Sequence, residues 1–172
     1  MKRIFFGSVI ALAGLACAAS PAGAQDDKAG VAAAVNPQAT AQPPNAKTEV
    51  LRIGQNVIRN ERITTQDSGQ VQLLFVDGST LTLGPNSEIV IDEFVYDPKK
   101  QIGSMTATVT AGLLRYVGGK VSKQKGVNFY TPSGVVTVRG GIAVINVTKG
   151  AGAAAVNAPP GSAAPGKAVP TQ

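Results

Sequence analysis

Val71-Gln72-Leu73-Leu74-Phe75-Val76-Asp77-Gly78-Ser79-Thr80-Leu81-Thr82-Leu83 sets two short apolar runs on either side of an Asp-Gly pair. Val71, Leu73 and Phe75 recur at every second position, as do Leu81 and Leu83. A period of two places alternate side chains on one face of a strand. Asp-Gly between such runs signals a tight turn, because glycine enters φ > 0 without steric cost. The stretch reads as a β-hairpin or tight corner. Leu74 and Val90 lie between apolar neighbours, which suggests strands covered on both faces.

The same pattern extends outward. Ile89 and Ile91 flank Val90; Val109, Leu113 and Leu114 follow, then Val127 and Phe129, then Val136, Val138, Ile142, Val144 and Val147. β-Branched residues dominate, as a pleated surface favours. Turn signals separate the runs at Ser68-Gly69, Gly84-Pro85-Asn86, Asp97-Pro98, Gly118-Gly119, Pro132-Ser133-Gly134 and Gly140-Gly141. The expected fold is all-β: a short-stranded roll, solenoid-like, or a sandwich.

The ends read differently. Lys2 and Arg3 precede an apolar run from Ile4 to Ala16, and Ala22-Gly23-Ala24 is a small-x-small cleavage site. Residues 1–24 therefore read as a secretory signal peptide cleaved before Gln25. Lipidation at Cys17 is the less favoured alternative, because Gly14 stands where a lipobox has a branched apolar residue. The mature chain is expected in the periplasm or secreted, without cysteine and without a membrane span. Residues 25–47 read as a flexible linker with at most a marginal helix over Lys28 to Val35. Residues 150–172 read as a disordered Ala/Pro/Gly-rich tail. The folded unit is expected over 48–149.

Four segments together resemble the FecR domain family. They are Gly54-Gln55-Asn56-Val57 with Asn60-Glu61-Arg62-Ile63-Thr64-Thr65; Gly69 to Leu81; Leu83-Gly84-Pro85-Asn86-Ser87-Glu88-Ile89-Val90-Ile91-Asp92-Glu93-Phe94; and Thr131-Pro132-Ser133-Gly134 leading to Val138-Arg139-Gly140. The resemblance implies a bacterial envelope β domain, often solenoid-like, whose best-studied members relay a signal from an outer-membrane transporter to a sigma factor. The sequence departs from those members. It shows no sigma-binding segment before a membrane span and no further signalling domain, and Gly141 stands where the family usually has Thr. The domain is expected to carry over without the sigma-regulator role.

The 172 residues include no His, no Trp and one Cys. That excludes Ser-His-Asp and Cys-His catalysis and His-bound zinc. Asp92 and Glu93 are adjacent and face opposite ways on a strand, so they do not make a glycosidase pair. No calcium-loop spacing is present, Ser79 is not in a nucleophile elbow, and there is no phosphate-binding glycine loop. The expectation is a non-enzyme with no cofactor and no metal.

Charge is unevenly placed. Residues 25–97 carry 5 basic and 10 acidic side chains, whereas residues 98–172 carry 9 basic and none acidic. The candidate contact residues are Arg115, Tyr116, Lys120, Lys123, Lys125 and Arg139, beside Lys99 and Lys100. Arg139 has two readings, a partner for Asp92 or Glu93 or a ligand contact. The favoured partner is a protein. The alternative is an anionic envelope polysaccharide or polymer, with Tyr116 or Tyr130 assisting. Nucleic acid is not expected, given the compartment and the scarcity of stacking aromatics.

Overall fold

The computed structural model describes residues 28–148 and 155–157. The expected signal peptide with its cleavage site, Cys17, and most of the 150–172 tail lie outside the described residues. Among the described residues, thirteen strands and one short helix follow in order: β1 (Lys28–Val35), β2 (Ala39–Gln42), β3 (Glu49–Val50), β4 (Asn56–Ile58), β5 (Arg62–Thr65), β6 (Val71–Phe75), β7 (Thr80–Leu83), β8 (Glu88–Asp97), β9 (Ile102–Val117), α1 (Lys120–Gln124), β10 (Val127–Thr131), β11 (Gly134–Val138), β12 (Ile142–Val147) and β13 (Ala155–Asn157). The expected all-β class is what the chain adopts.

One strand organises the whole. The first part of β9 pairs with β8 and β10; its second part pairs with β7 and β12. Gly112, with φ +101°, bends β9 between the two parts. One half of the sheet thus runs β3-β2-β5-β8-β9-β10-β11, and the other β4-β1-β6-β7-β9-β12-β13. Among the described strands, every pairing is antiparallel except that of β9 with β10, so the sheet curls on itself instead of stacking parallel coils as a solenoid would.

The two halves close on a single core. Ile63, Ile89, Ile91, Ala107 and Val109 from one half meet Leu73, Leu81, Leu83, Leu114 and Ile145 from the other. Phe75 stacks on Phe94 with ring centroids 5.3 Å apart. Tyr116 meets Phe129 edge-on at 5.2 Å. The Val71–Leu83 hairpin forms as read, in the register Leu73↔Leu81. Leu74, expected to be covered on both sides, instead points outward and is 43% exposed.

Two expectations about the ends are corrected. Within the expected 25–47 linker, the described residues 28–47 are built into the sheet: β1 pairs with both β4 and β6, and β2 with both β3 and β5. Lys28–Val35 is a strand, not a helix. The inward positions here are Ala29, Ala32, Ala39 and Ala41, all buried. Alanine has low β propensity, but its small side chain lets a strand lie close on the core. Gly30 fits closer still, since a Cβ there would come within 2.3 Å of the Leu74 carbonyl oxygen. The tail is likewise not wholly unstructured, because β13 extends β12 from Asn146↔Ala155 to Val144↔Asn157.

Gly78 and Gly140 hold φ of +83° and +69°. Replacing either by Val is expected to destabilise by more than about 1 kcal/mol, because a β-branched side chain resists that conformation. Urea unfolding of the two variants measures this, and a midpoint shift within error would count against it.

Candidate functional site

The strand directions gather four loops at one end of the molecule. They are the 76–79 turn between β6 and β7, the 98–101 turn between β8 and β9, the 118–126 segment containing α1, and the 139–141 turn between β11 and β12. Hydrogen bonds tie them together. Gln124 Nε2 donates to the Gln101 carbonyl at 2.9 Å. The Gly140 N–H donates to the Ser122 carbonyl at 3.0 Å, and the Lys120 N–H to the Asp77 carbonyl at 3.2 Å. Because β9 travels away from this end and returns, Lys99 and Lys100 arrive beside Lys120, Lys123 and Lys125. Arg139 joins them, its Cγ 3.1 Å from where a Cβ on Gly126 would stand.

These six side chains are exposed. Among the described residues, none of them is in an ion pair. The two carboxylates on the same turns are engaged by backbone. Asp97 Oδ1 accepts the N–H groups of Lys99 and Lys100, at 2.9 and 3.2 Å. Asp77 is only 3% exposed. Its Oδ1 accepts from the Ser79 N–H at 3.0 Å and the Ser79 hydroxyl at 2.6 Å, and its Oδ2 accepts from the Val121 N–H at 3.1 Å. Asp77 therefore braces α1, the helix that carries Lys120 and Lys123. The sequence showed Asp77 as a turn residue; its second task depends on a partner 44 positions away.

The expected contact residues separate into three groups. Lys120, Lys123, Lys125 and Arg139 come together. Asp92 and Glu93 do not hold Arg139, since they accept from Thr108 and Ser104 respectively. Arg115 is exposed but lies elsewhere, on the outer face between Thr82 and Val144. Tyr116 is fully buried and cannot meet a ligand. Neighbours on a strand face opposite sides, so an outward Arg115 forces Tyr116 inward, beneath α1. Burial pushes its phenol pKa up, with the Asp77 carboxylate acting in the same direction; nearby Ser79 and Ser122 hydroxyls oppose the shift. The Tyr116 hydroxyl itself sits in no well-formed hydrogen bond among the described residues. Tyr130 is 46% exposed, on the outer face and away from the basic loops.

The opposite end holds an open cleft of about 710 Å³ lined by Thr65, Asp67, Asn86, Ser87, Glu88 and Asn146, among others. Its hydroxyls are engaged: Thr65 donates to the Gly84 carbonyl, and Ser87 to those of Pro85 and Leu113. Glu88 pairs with Arg62. Among the described residues, no three Asp, Glu, Cys or His side chains converge as a metal site would require, and no helix is long and apolar enough to cross a membrane.

Glu61 is the other buried acid, 1% exposed. It accepts the Ile58 N–H at 2.8 Å. Burial raises its pKa, the Ile58 bond opposes this, and Glu49 adds to it. A carboxyl that binds its proton more tightly when folded stabilises the fold most at low pH. That contribution is lost as pH rises from the ordinary glutamate value of 4.5 through the raised folded one. Glu61→Gln keeps an acceptor for Ile58 without the charge. Its Tm relative to the parent is expected to climb between pH 4 and 7; a flat difference would show that burial of the charge carries no cost.

A family model described as FecR protein matches residues 61–163. No curated protein and no solved structure gives a significant match.

Proposed function

Because the chain belongs to the FecR family, we propose that it is a non-catalytic regulatory domain of the bacterial envelope whose basic end docks an acidic face of a protein partner. The convergence of Lys99, Lys100, Lys120, Lys123, Lys125 and Arg139 at one end carries this reading. Six exposed cations with their local carboxylates engaged by backbone N–H groups form a field for an anionic surface. Tyr116 is buried, Tyr96 beside the 98–101 turn packs against the core, and Tyr130 stands on the outer face. Among the described residues the basic end thus presents no freely exposed aromatic ring for sugars, which favours a protein over a polysaccharide. Export with cleavage after Ala24 belongs to the same proposal, and the intact mass of exported protein tests it; a lipid-modified Cys17 would overturn it.

Changing Lys120, Lys123 and Lys125 together to Gln tests the docking. A photo-crosslinking residue at Lys100 reports contact in living cells. The parent is expected to give a discrete protein adduct, and the triple variant to lose most of it. Stability should change by no more than about 1 kcal/mol, as for solvated charges. With purified partner, affinity should fall steeply as salt shortens the screening length from about 10 Å at 0.1 M to about 3 Å at 1 M. An adduct with polysaccharide in place of protein, or an affinity indifferent to both salt and the triple change, would overturn the reading.

A further inference from the structure

We propose that the open edge of β11 accepts an extended peptide of the partner as an added strand, and that this peptide is acidic where it reaches the basic loops. The inference rests on the docking reading above and names the form the partner takes. β10 and β11 join through the two-residue turn Pro132-Ser133, in the unbroken register Thr131↔Gly134 to Val127↔Val138. In such a hairpin the closing pair is hydrogen-bonded, and bonded pairs then alternate along the ladder. Gly134, Val136 and Val138 therefore exchange bonds with β10. Val135 and Thr137 turn their N–H and C=O groups to the side on which no described strand lies.

Edge strands are usually guarded by charge, proline, a bulge or brevity. At the other three edges of the two halves, β3 is two residues long and β4 and β13 three each. β11 is five residues, Gly-Val-Val-Thr-Val, with no charge, proline or bulge. It is also firmly held: Val138 is buried and Val136 packs against the core. Val135, 55% exposed, stands beside Tyr130 and offers an apolar contact on the outer face. The strand runs directly into Arg139, and Lys123 Cγ is 3.8 Å from where a Cβ on Gly140 would stand. An added strand thus meets neutral surface at the Pro132 end and positive charge at the Arg139 end. Main-chain bonds supply strand addition in this mode of recognition, and charge supplies its direction.

The probe is a synthetic decapeptide of alternating threonine and valine with two aspartates at one end. It is added to the full chain and followed by amide hydrogen exchange in NMR spectra. In the free protein the Val135 and Thr137 amides are expected to exchange fast, and those of Val136 and Val138 slowly. Saturating peptide should slow Val135 and Thr137 by about tenfold or more, as capture of an open amide does. Two further peptides carry N-methyl groups on alternate residues, one set each. One set faces β11 and should abolish binding; the other faces solvent and should be tolerated. Replacing the two aspartates with lysines should also abolish binding. Failure of the parent peptide to protect Val135 and Thr137, or equal binding by both N-methyl peptides, overturns strand addition. If the lysine peptide binds as well as the parent, the acidic requirement falls. Protection that persists in the Lys120/Lys123/Lys125→Gln protein would count against the docking reading and leave the edge intact. Val135→Lys, on an exposed side chain, should weaken the parent peptide without altering the fold.

Discussion

Gly112→Ala is expected to remove about 3–5 kcal/mol of stability, combining backbone strain and overpacking that each cost about 1–3 kcal/mol. The residue sits at φ +101°. A Cβ there would lie 2.1 Å from Ser87 Oγ and 2.4 Å from Ser87 Cα. Rotating the hydroxyl away relieves only the first of these, because the second is backbone. Ser87 is itself fixed, its Oγ accepting the Leu113 N–H at 3.1 Å. Native domains hold only about 5–15 kcal/mol in total, so the variant should be mostly unfolded or shifted to a far lower urea midpoint. Gly78→Ala serves as the contrast. Its φ is also positive, but a Cβ there meets nothing within 4 Å, so the loss should stay near 1 kcal/mol. Equal midpoints for the two variants would show that crowding at the β9 bend is unimportant.

Asp77→Ala should come next, at about 3 kcal/mol, since each buried donor left without a partner costs about 1–3 kcal/mol. Two such donors belong to Ser79 and one to Val121, and both residues are fully buried. Asp77→Asn keeps one acceptor oxygen but sets an amide N–H₂ where an acceptor is needed, so it should fall between Ala and the parent. The two variants also separate stability from function. Losing the Val121 bond should loosen α1, so that the Val121 to Lys125 amides exchange faster while strand amides of Asp77→Asn remain protected. Affinity for an acidic partner should fall in parallel, although Asp77 is too deep to touch it. Asp77→Ala with unchanged stability and unchanged α1 exchange would remove the brace.

The residues that announced the fold were those whose own chemistry forces a local outcome. Val71 to Leu83 alternates with branched and aromatic side chains around a glycine that does take positive φ, and it forms the hairpin it spells. β1 and β2 were not legible because alanine marks their inward positions, and alanine gives little strand signal against a background of Ala, Gly and Pro. Leu74 misled because an apolar residue on an outward face costs little, so the sequence carries no mark to separate it from Leu73. Of the contact residues, Tyr116 has its place written in the strand pattern: once Leu114 is inward, alternation places Tyr116 inward too. The basic cluster was visible only as a charge imbalance. Its convergence depends on β9 going out and coming back, and the turning point, Ala111-Gly112-Leu113, has no turn dipeptide to give it away.

That same strand governs how the molecule can come apart. In a stack of like units, an end unit can open alone and opening travels inward. Here residues 102–117 are central to both halves, so neither half completes its ladder before the other has its own share of the strand. The closures this demands span much of the chain, which favours slow, concerted assembly over stepwise growth. The amides of β9 should therefore report the free energy of unfolding the entire domain, whereas outer strands such as β3 can open locally without disturbing it.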